Sequence, residues 1–361
     1  MSRPLPLALL GLGLAAAAGA AMGVVAERAA VRRTLTVDAE SDQHFGSLRS
    51  APLVVPTDDG VLLHVEIDEP DIDGVGVGTP EAVLTIIFTH GFCLNLDVWH
   101  YQRRDLRGRD RLVLWDQRGH GRSTAGPRYG AATIDRLGLD LAAVLEAVAP
   151  EGPVVLVGHS MGGMTVMALA AHAPELFNGR VVAVALLGTS VGGLGEELLG
   201  LPAPVARLLH RLSPGAAAGL ARSPRAVEFT RDRINDLGLV LTRQYAFGGP
   251  VSASVNAFTA DMIASTPMDV VADFLPAFEQ HDRRDGLHGL ALVDTLVIVG
   301  ESDVLTPASH SGEIVGLVPE AELLLLPGTG HMLMLERYPE VNSALKGLAA
   351  RVRPPFDGRL Q

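Results

Sequence analysis

Ser160 sits in Val157-Gly158-His159-Ser160-Met161-Gly162-Gly163, directly after a short apolar run and directly before a stretch of helix formers. A G-x-S-x-G pattern alone is weak in a chain with 40 glycines among 361 residues. Placed between a strand and a helix it is the setting of a nucleophile elbow, where a sharp turn exposes the serine and flanking glycines remove the side chains that would clash. The helix start also points free N–H groups at the reacting centre. A serine hydroxyl is a poor nucleophile and needs a base. Of the 12 histidines, His331 is distinguished by position, since it follows an apolar run through Pro327-Gly328-Thr329-Gly330. The base needs an orienting carboxylate. Asp303 lies four residues beyond Val299, at the end of another apolar run; Glu301 is the rival acid, closer to that run and expected to face away. An oxyanion hole is expected from the N–H of Met161, just after the nucleophile, and of Phe92, in the loop His90-Gly91-Phe92-Cys93. The order Ser160, Asp303, His331 predicts acyl transfer with no metal and no organic cofactor.

Those residues are useful only if a fold gathers them. Leu53–Val55 and Val61–Ile67 flank Asp58-Asp59-Gly60, a hairpin signal. Apolar runs at 83–89, 112–115, 154–157, 181–187, 295–299 and 323–326 suit strands buried on both faces. Helical periodicity covers 134–148, 161–173 (stopped by Pro174) and 338–352. Alternating strands and helices predict an α/β fold with a mostly parallel, doubly wound sheet. Each proposed site residue follows a strand, so all should meet at the carboxyl edge of the sheet. Between 190 and about 285 no strand is evident. A structureless loop of that length is uncommon, and stripes at Val205, Leu208, Leu209, Leu212 and at Val270, Val271, Phe274, Leu275, Phe278 predict inserted helices.

Composition narrows the classes. Net charge is −12, which excludes a bulk basic footprint for nucleic acid. One cysteine excludes a disulfide framework within the chain and a cysteine-cluster zinc site. From Leu5 to Ala26 there is no charge. That segment is expected to be a membrane anchor, with Arg28, Arg32 and Arg33 after it favouring a cytoplasmic catalytic domain, or a signal peptide cleaved near Ala18-Gly19-Ala20, which would export the protein. Residues 5–26 are therefore the expected route of any membrane association. A plain N-terminal helix is the bland alternative.

The pieces His90-Gly91-Phe92, Asp116 to Ser123, Gly158 to Gly163, Gly300 to Pro307 and Gly328 to His331 together resemble the α/β-hydrolase superfamily. The similar branch includes cofactor-free haloperoxidase-like esterases and monoacylglycerol lipase-like enzymes. The resemblance covers residues 50–352. It implies an α/β-hydrolase core at 51–190 and 286–352, a helical cap at 191–285, and a purely structural role for the 116–123 loop. An N-terminal segment at 1–33, a linker at 34–50 and a tail at 353–361 complete the division. It also implies a small-molecule ester or related acyl substrate, cleaved through an acyl-enzyme. Ser160, where epoxide hydrolases and haloalkane dehalogenases carry aspartate, argues against those chemistries. Perhydrolysis, C–C bond hydrolysis and acyl transfer use the same triad, and a catalytically silent, membrane-associated binding protein is the alternative of another class. The bland reading holds for the remaining candidates. Cys93 and His159 read as packing residues, Met332 and Met334 as adaptable core or pocket lining, Trp99 and Tyr101 as core or pocket wall, His90 as structural, and the arginines at 207, 211, 222, 225, 231 and 233 as a solvated face, with binding of an anionic substrate or lipid headgroup as the sharper alternative.

Overall fold

The computed structural model describes residues 40, 42–71, 83–126, 132–194, 239 and 241–353. Eight strands form one sheet: β1 Pro52–Pro56, β2 Leu62–Asp68, β3 Thr85–Thr89, β4 Arg111–Trp115, β5 Val154–His159, β6 Val181–Leu187, β7 Asp294–Gly300 and β8 Glu322–Leu326. Their order is β1-β2-β4-β3-β5-β6-β7-β8. The hairpin β1–β2 is antiparallel, as is β2 against β4, and every later pair is parallel. The helices with direct bearing on the site are α1 His100–Leu106, α2 Ile134–Val148, α3 Met161–His172, α4 Ala253–Ser265, α5 Met268–Glu279, α6 Ala308–Leu317, α7 Leu333–Glu336 and α8 Tyr338–Val352.

Continuous apolar strands demand cover on both faces, and β3 to β7 have it; the run 323–326 does not, because β8 lies at the edge of the sheet and leaves Leu323 and Leu325 exposed. Ile87, Val154 and Leu156 point into a core closed by α2 and α3, while Ile86, Phe88, Val155 and Val157 point into a second core closed by α1 and α8. The alternation along β3 and β5 is the period-two geometry of a strand. Helix α2 starts on Thr133, whose hydroxyl accepts from Arg136 N at 3.1 Å, an ordinary N-cap.

The inserted region is described only from 239 onward, apart from its first residues 191–194. The stripe at 205–212 and the arginines at 207–233 lie outside the described residues. The second stripe does form a helix, α5, and buries Val270, Phe274 and Phe278. Two chain segments meet at its root, where Gly192 bridges Asp282 and Arg283 N donates to Val191 O at 2.7 Å.

The expectation of a membrane location is corrected. Among the described residues no helix is long and apolar enough to cross a membrane. The longest of them, α2 and α8, have 15 residues, about 22 Å at 1.5 Å per residue, against a hydrocarbon core of about 30 Å. Both are also two-faced, with polar residues on the side away from the core. The anchor and the cleaved signal were placed on residues 5–26, which lie outside the described residues.

Candidate active site

At the carboxyl end of β5 the backbone turns abruptly into α3. The turn residue is Ser160, with φ 52° and ψ −118°. Among the described residues only Ser160 and Cys93 are non-glycine residues with positive φ, and both lie in the loops expected to carry the chemistry. Such a conformation costs about 1–3 kcal/mol and persists only where its surroundings enforce it. Here Ser160 N donates to Leu187 O at 2.9 Å, and Ser160 O accepts from Gly163 N at 2.9 Å and from the Thr189 hydroxyl at 2.7 Å. Close approach explains the glycines. A Cβ on Gly158 would stand 2.5 Å from Gly162 O, one on Gly162 would overlap Thr89 O, and one on Gly91 would stand 3.2 Å from Ser160 Cβ. The loop after β3 therefore presses directly on the elbow.

His331 follows β8 through the expected four-residue loop and is buried. Its Nδ1 lies 2.8 Å from Asp303 Oδ2. Asp303 is buried too, and its carboxylate is fully used. Oδ1 accepts from Leu305 N and Thr306 N at 2.9 Å each, and Oδ2 accepts from the Thr306 hydroxyl at 3.0 Å. Burial alone would raise the Asp303 carboxyl, but attraction to His331 and these hydrogen bonds outweigh it and hold it below its usual range. An ionised carboxylate only accepts, so the proton of a neutral His331 sits on Nδ1 and Nε2 keeps a lone pair. Glu301 is exposed and accepts from Gly328 N at 3.1 Å. The rival acid thus supports the loop while Asp303 meets the imidazole.

The elbow and the His–Asp pair converge. The ring of His159, the residue before Ser160, is 4.7 Å from the His331 ring, and its Nε2–H donates to His331 O at 3.0 Å. A Cβ on Gly188, at the end of β6, would stand 3.2 Å from Asp303 Oδ2 and 3.4 Å from His331 Nδ1. Ser160 is half-buried, and its hydroxyl makes no hydrogen bond to His331 in this conformer. Catalytic hydrogen bonds are often long before substrate arrives.

Met161 N–H is the first amide of α3, one of the four that a helix leaves without an internal acceptor. Phe92, in the facing loop, is half-buried. Its ring meets Phe278 edge-on at 5.0 Å and Phe274 at 5.9 Å, so α5 packs against the loop that presents the Phe92 amide. Burial pushes the Cys93 thiol up to about 12. That disfavours a thiolate near neutrality.

The neighbouring side chains are structural. His90 Nδ1–H donates to Gly91 O at 2.7 Å and Nε2 accepts from Gln117 N at 2.9 Å, which fixes its tautomer. Asp116 accepts from Leu96 N at 2.7 Å and from Arg122 N at 2.8 Å. Trp99 and Tyr101 are buried in the second core with Met332 and Met334; Trp99 acts as packing, while Tyr101 also lines a cavity of about 370 Å³ with Glu40, Arg104 and Tyr338. Thr306 and the His159 hydrogen bond were not anticipated. The signal for Thr306 was there: a carboxylate that caps amides two and three residues on is a common turn device, and Asp303 to Thr306 has that spacing. Among the described residues no three His, Cys, Asp or Glu side chains group to hold a metal.

Burial makes the histidines acid-sensitive. It pushes His90 down to about 3, and His120 and His281 down to about 4. The unfolded chain takes up these protons near pH 6.5. It therefore binds more protons than the folded chain between about pH 6.5 and 4, and stability falls as pH drops through that window. Asp116, raised by burial to about 6, and Asp140, also raised by burial, work in the opposite direction, but they are two groups against five, since burial lowers His100 and His159 as well. The expected result is a Tm roughly 5 °C or more lower at pH 5 than at pH 7.5, read by thermal unfolding. An unchanged Tm would contradict it.

Comparison with known proteins places the fold. A family model described as "alpha/beta hydrolase fold" matches residues 85–338. A dihydrolipoyllysine-residue acetyltransferase component of an acetoin cleaving system from Pseudomonas putida is 28% identical over 288 residues, 76% of this chain, and the chain spans 64% of that relative's length. A non-heme haloperoxidase from Rhodococcus erythropolis is 30% identical over 268 residues, covering 72% of this chain and 90% of the relative. Among solved structures, that of a putative aryl esterase from Burkholderia cenocepacia superposes with a TM-score of 0.66 at 21% identity, over 84% of this chain and 99% of that one. At that identity the likeness concerns the fold.

Proposed function

The chain belongs to the alpha/beta hydrolase fold family, and from that premise we propose that it is a serine hydrolase acting on a carboxylic ester or a related small acyl substrate. The observation that carries this reading is a serine in a strained, half-exposed turn beside a buried histidine whose Nδ1 is 2.8 Å from a carboxylate. In the proposed reaction His331 Nε2 takes the Ser160 proton as the hydroxyl adds to the acyl carbon. The developing oxyanion is held by the Met161 and Phe92 amides. His331 then gives its proton to the leaving alcohol, and the acyl-enzyme forms. Water, deprotonated by His331, attacks the acyl group and restores Ser160. Asp303 keeps the imidazole in the Nδ1–H tautomer and stabilises it when it is charged. We assign the inserted region 191–285 the part of a cap, because α5 already packs on the oxyanion loop.

One alternative acceptor is supported by the haloperoxidase relative, and by a further relative described as a bifunctional esterase/perhydrolase, 26% identical over 280 residues. In that reading hydrogen peroxide replaces water at the deacylation step. The test is a chain-length series of p-nitrophenyl esters with and without peroxide. Hydrolysis is expected with at least one acyl length, and peracid formation would add the second acceptor. A folded protein inert toward the whole series would overturn the reading.

A further inference from the structure

Five residues beyond His331, the carboxylate of Glu336 collects three backbone amides. Oε2 accepts from Gly330 N at 2.8 Å and from Gly248 N at 3.1 Å, and Oε1 accepts from Gly249 N. Gly330 is the residue immediately before His331. Gly248 and Gly249 belong to the stem from which the chain runs into α4. The two segments touch backbone to backbone. A Cβ on Gly248 would stand 2.7 Å from Gly330 N, and one on Gly330 would stand 2.6 Å from Phe247 C. Met332 N, on the other side of His331, donates to Ala246 O at 2.8 Å. The residues flanking His331 are thus both fastened to 246–249, and one of the two fastenings is a single half-buried carboxylate.

We propose that Glu336 is a positioning residue that makes the placement of the His331 imidazole depend on the placement of the stem 246–249. The proposal rests on the reading of His331 as the base. Only a carboxylate can serve, because it is acceptor-only and has lone pairs for three donors. A glutamine of the same shape offers one oxygen and one NH2 group. Whichever way it turns, at least one amide loses its acceptor and faces another donor. The stem leads directly into α4 and α5, and α5 packs on the Phe92 loop. A shift of the inserted region on substrate entry would therefore reach the base through Glu336 and the oxyanion loop through Phe274 and Phe278.

The test compares wild type, Glu336→Gln, Gly248→Ala and the double variant on the best p-nitrophenyl ester. Glu336→Gln is expected to lower kcat by about tenfold to a hundredfold, in line with the cost of a misplaced catalytic group, with KM within about twofold. The rate of labelling by a fluorophosphonate should fall by the same factor, since that step also needs the base. Gly248→Ala should act in the same direction. The double variant should be no slower than the worse single one, because both changes open the same link. The downfield proton resonance of the His331–Asp303 hydrogen bond should shift in Glu336→Gln. A lowered Tm with unchanged kcat, labelling rate and resonance would overturn the proposal, as would fully additive losses. If Glu336→Gln does not fold, Glu336→Asp carries the test, since it keeps the charge but cannot reach all three amides. A wild type that neither turns over esters nor labels would fail the functional reading instead, before any variant is compared.

Discussion

Ser160→Ala is expected to remove ester hydrolysis almost completely, lowering kcat by roughly 10⁴- to 10⁶-fold while leaving the fold intact. The two halves of that expectation come from different observations. The loss of rate follows from the covalent step, because alanine has no oxygen with which to form an acyl-enzyme. The tolerance of the fold follows from what the hydroxyl does not do. It makes no hydrogen bond, and the turn is held by backbone and Thr189 contacts at the amide and carbonyl of residue 160. Tm should shift by no more than a few degrees. The residual rate, still above that in buffer, would come from binding and the oxyanion donors. A variant that retains more than a few per cent of the activity would mean that the chemistry lies elsewhere.

Asp303→Asn is expected to lower kcat by about 10³- to 10⁴-fold. The side chain keeps its size, so the loop after β7 should survive. Its chemistry changes, however. The carboxylate accepts from Leu305 N, Thr306 N, the Thr306 hydroxyl and His331 at once. An asparagine that keeps its oxygen on the two amides turns its NH2 toward His331 Nδ1. The imidazole must then accept at Nδ1 and carry its proton on Nε2, where it can no longer take one from Ser160. If instead the asparagine oxygen faces His331, the NH2 meets two amide donors and the loop loosens. Either outcome slows the reaction, and the first leaves Tm nearly unchanged. Steady-state kinetics together with thermal unfolding separates the two. Glu301→Gln, by contrast, should cost little activity, because Glu301 is exposed and bonded to Gly328 N.

Much of this arrangement is legible in the residues themselves. The continuous apolar run Val181–Leu187 suits a strand covered on both faces and forms one, and 134–148 and 338–352 carry the helical period end to end. Strand–helix alternation then fixes which loops share an edge, and that brings Ser160, Asp303 and His331 together without any contact being known in advance. What the residues do not announce is how backbone meets backbone. Gly248 and Gly330 look like ordinary loop glycines, yet each is small because the other chain lies against it. No motif or spacing singles out Glu336, and its three amide partners are 6 to 88 residues away. His159 reads as packing from its place beside the nucleophile, which does not announce its bond to His331 O. The expected membrane location came from an uncharged stretch of weak apolar content and the arginines that follow it, and the described helices do not supply a span.

In the proposed reaction the Ser160 hydroxyl is made reactive by His331 and Asp303. The most direct measurement is peptide mass mapping after exposure to a fluorophosphonate. One adduct is expected, on the peptide containing Ser160, in wild type; it should be absent in Ser160→Ala and formed far more slowly in Asp303→Asn. A folded wild type that takes up no label, or takes it up on another residue, would contradict the claim.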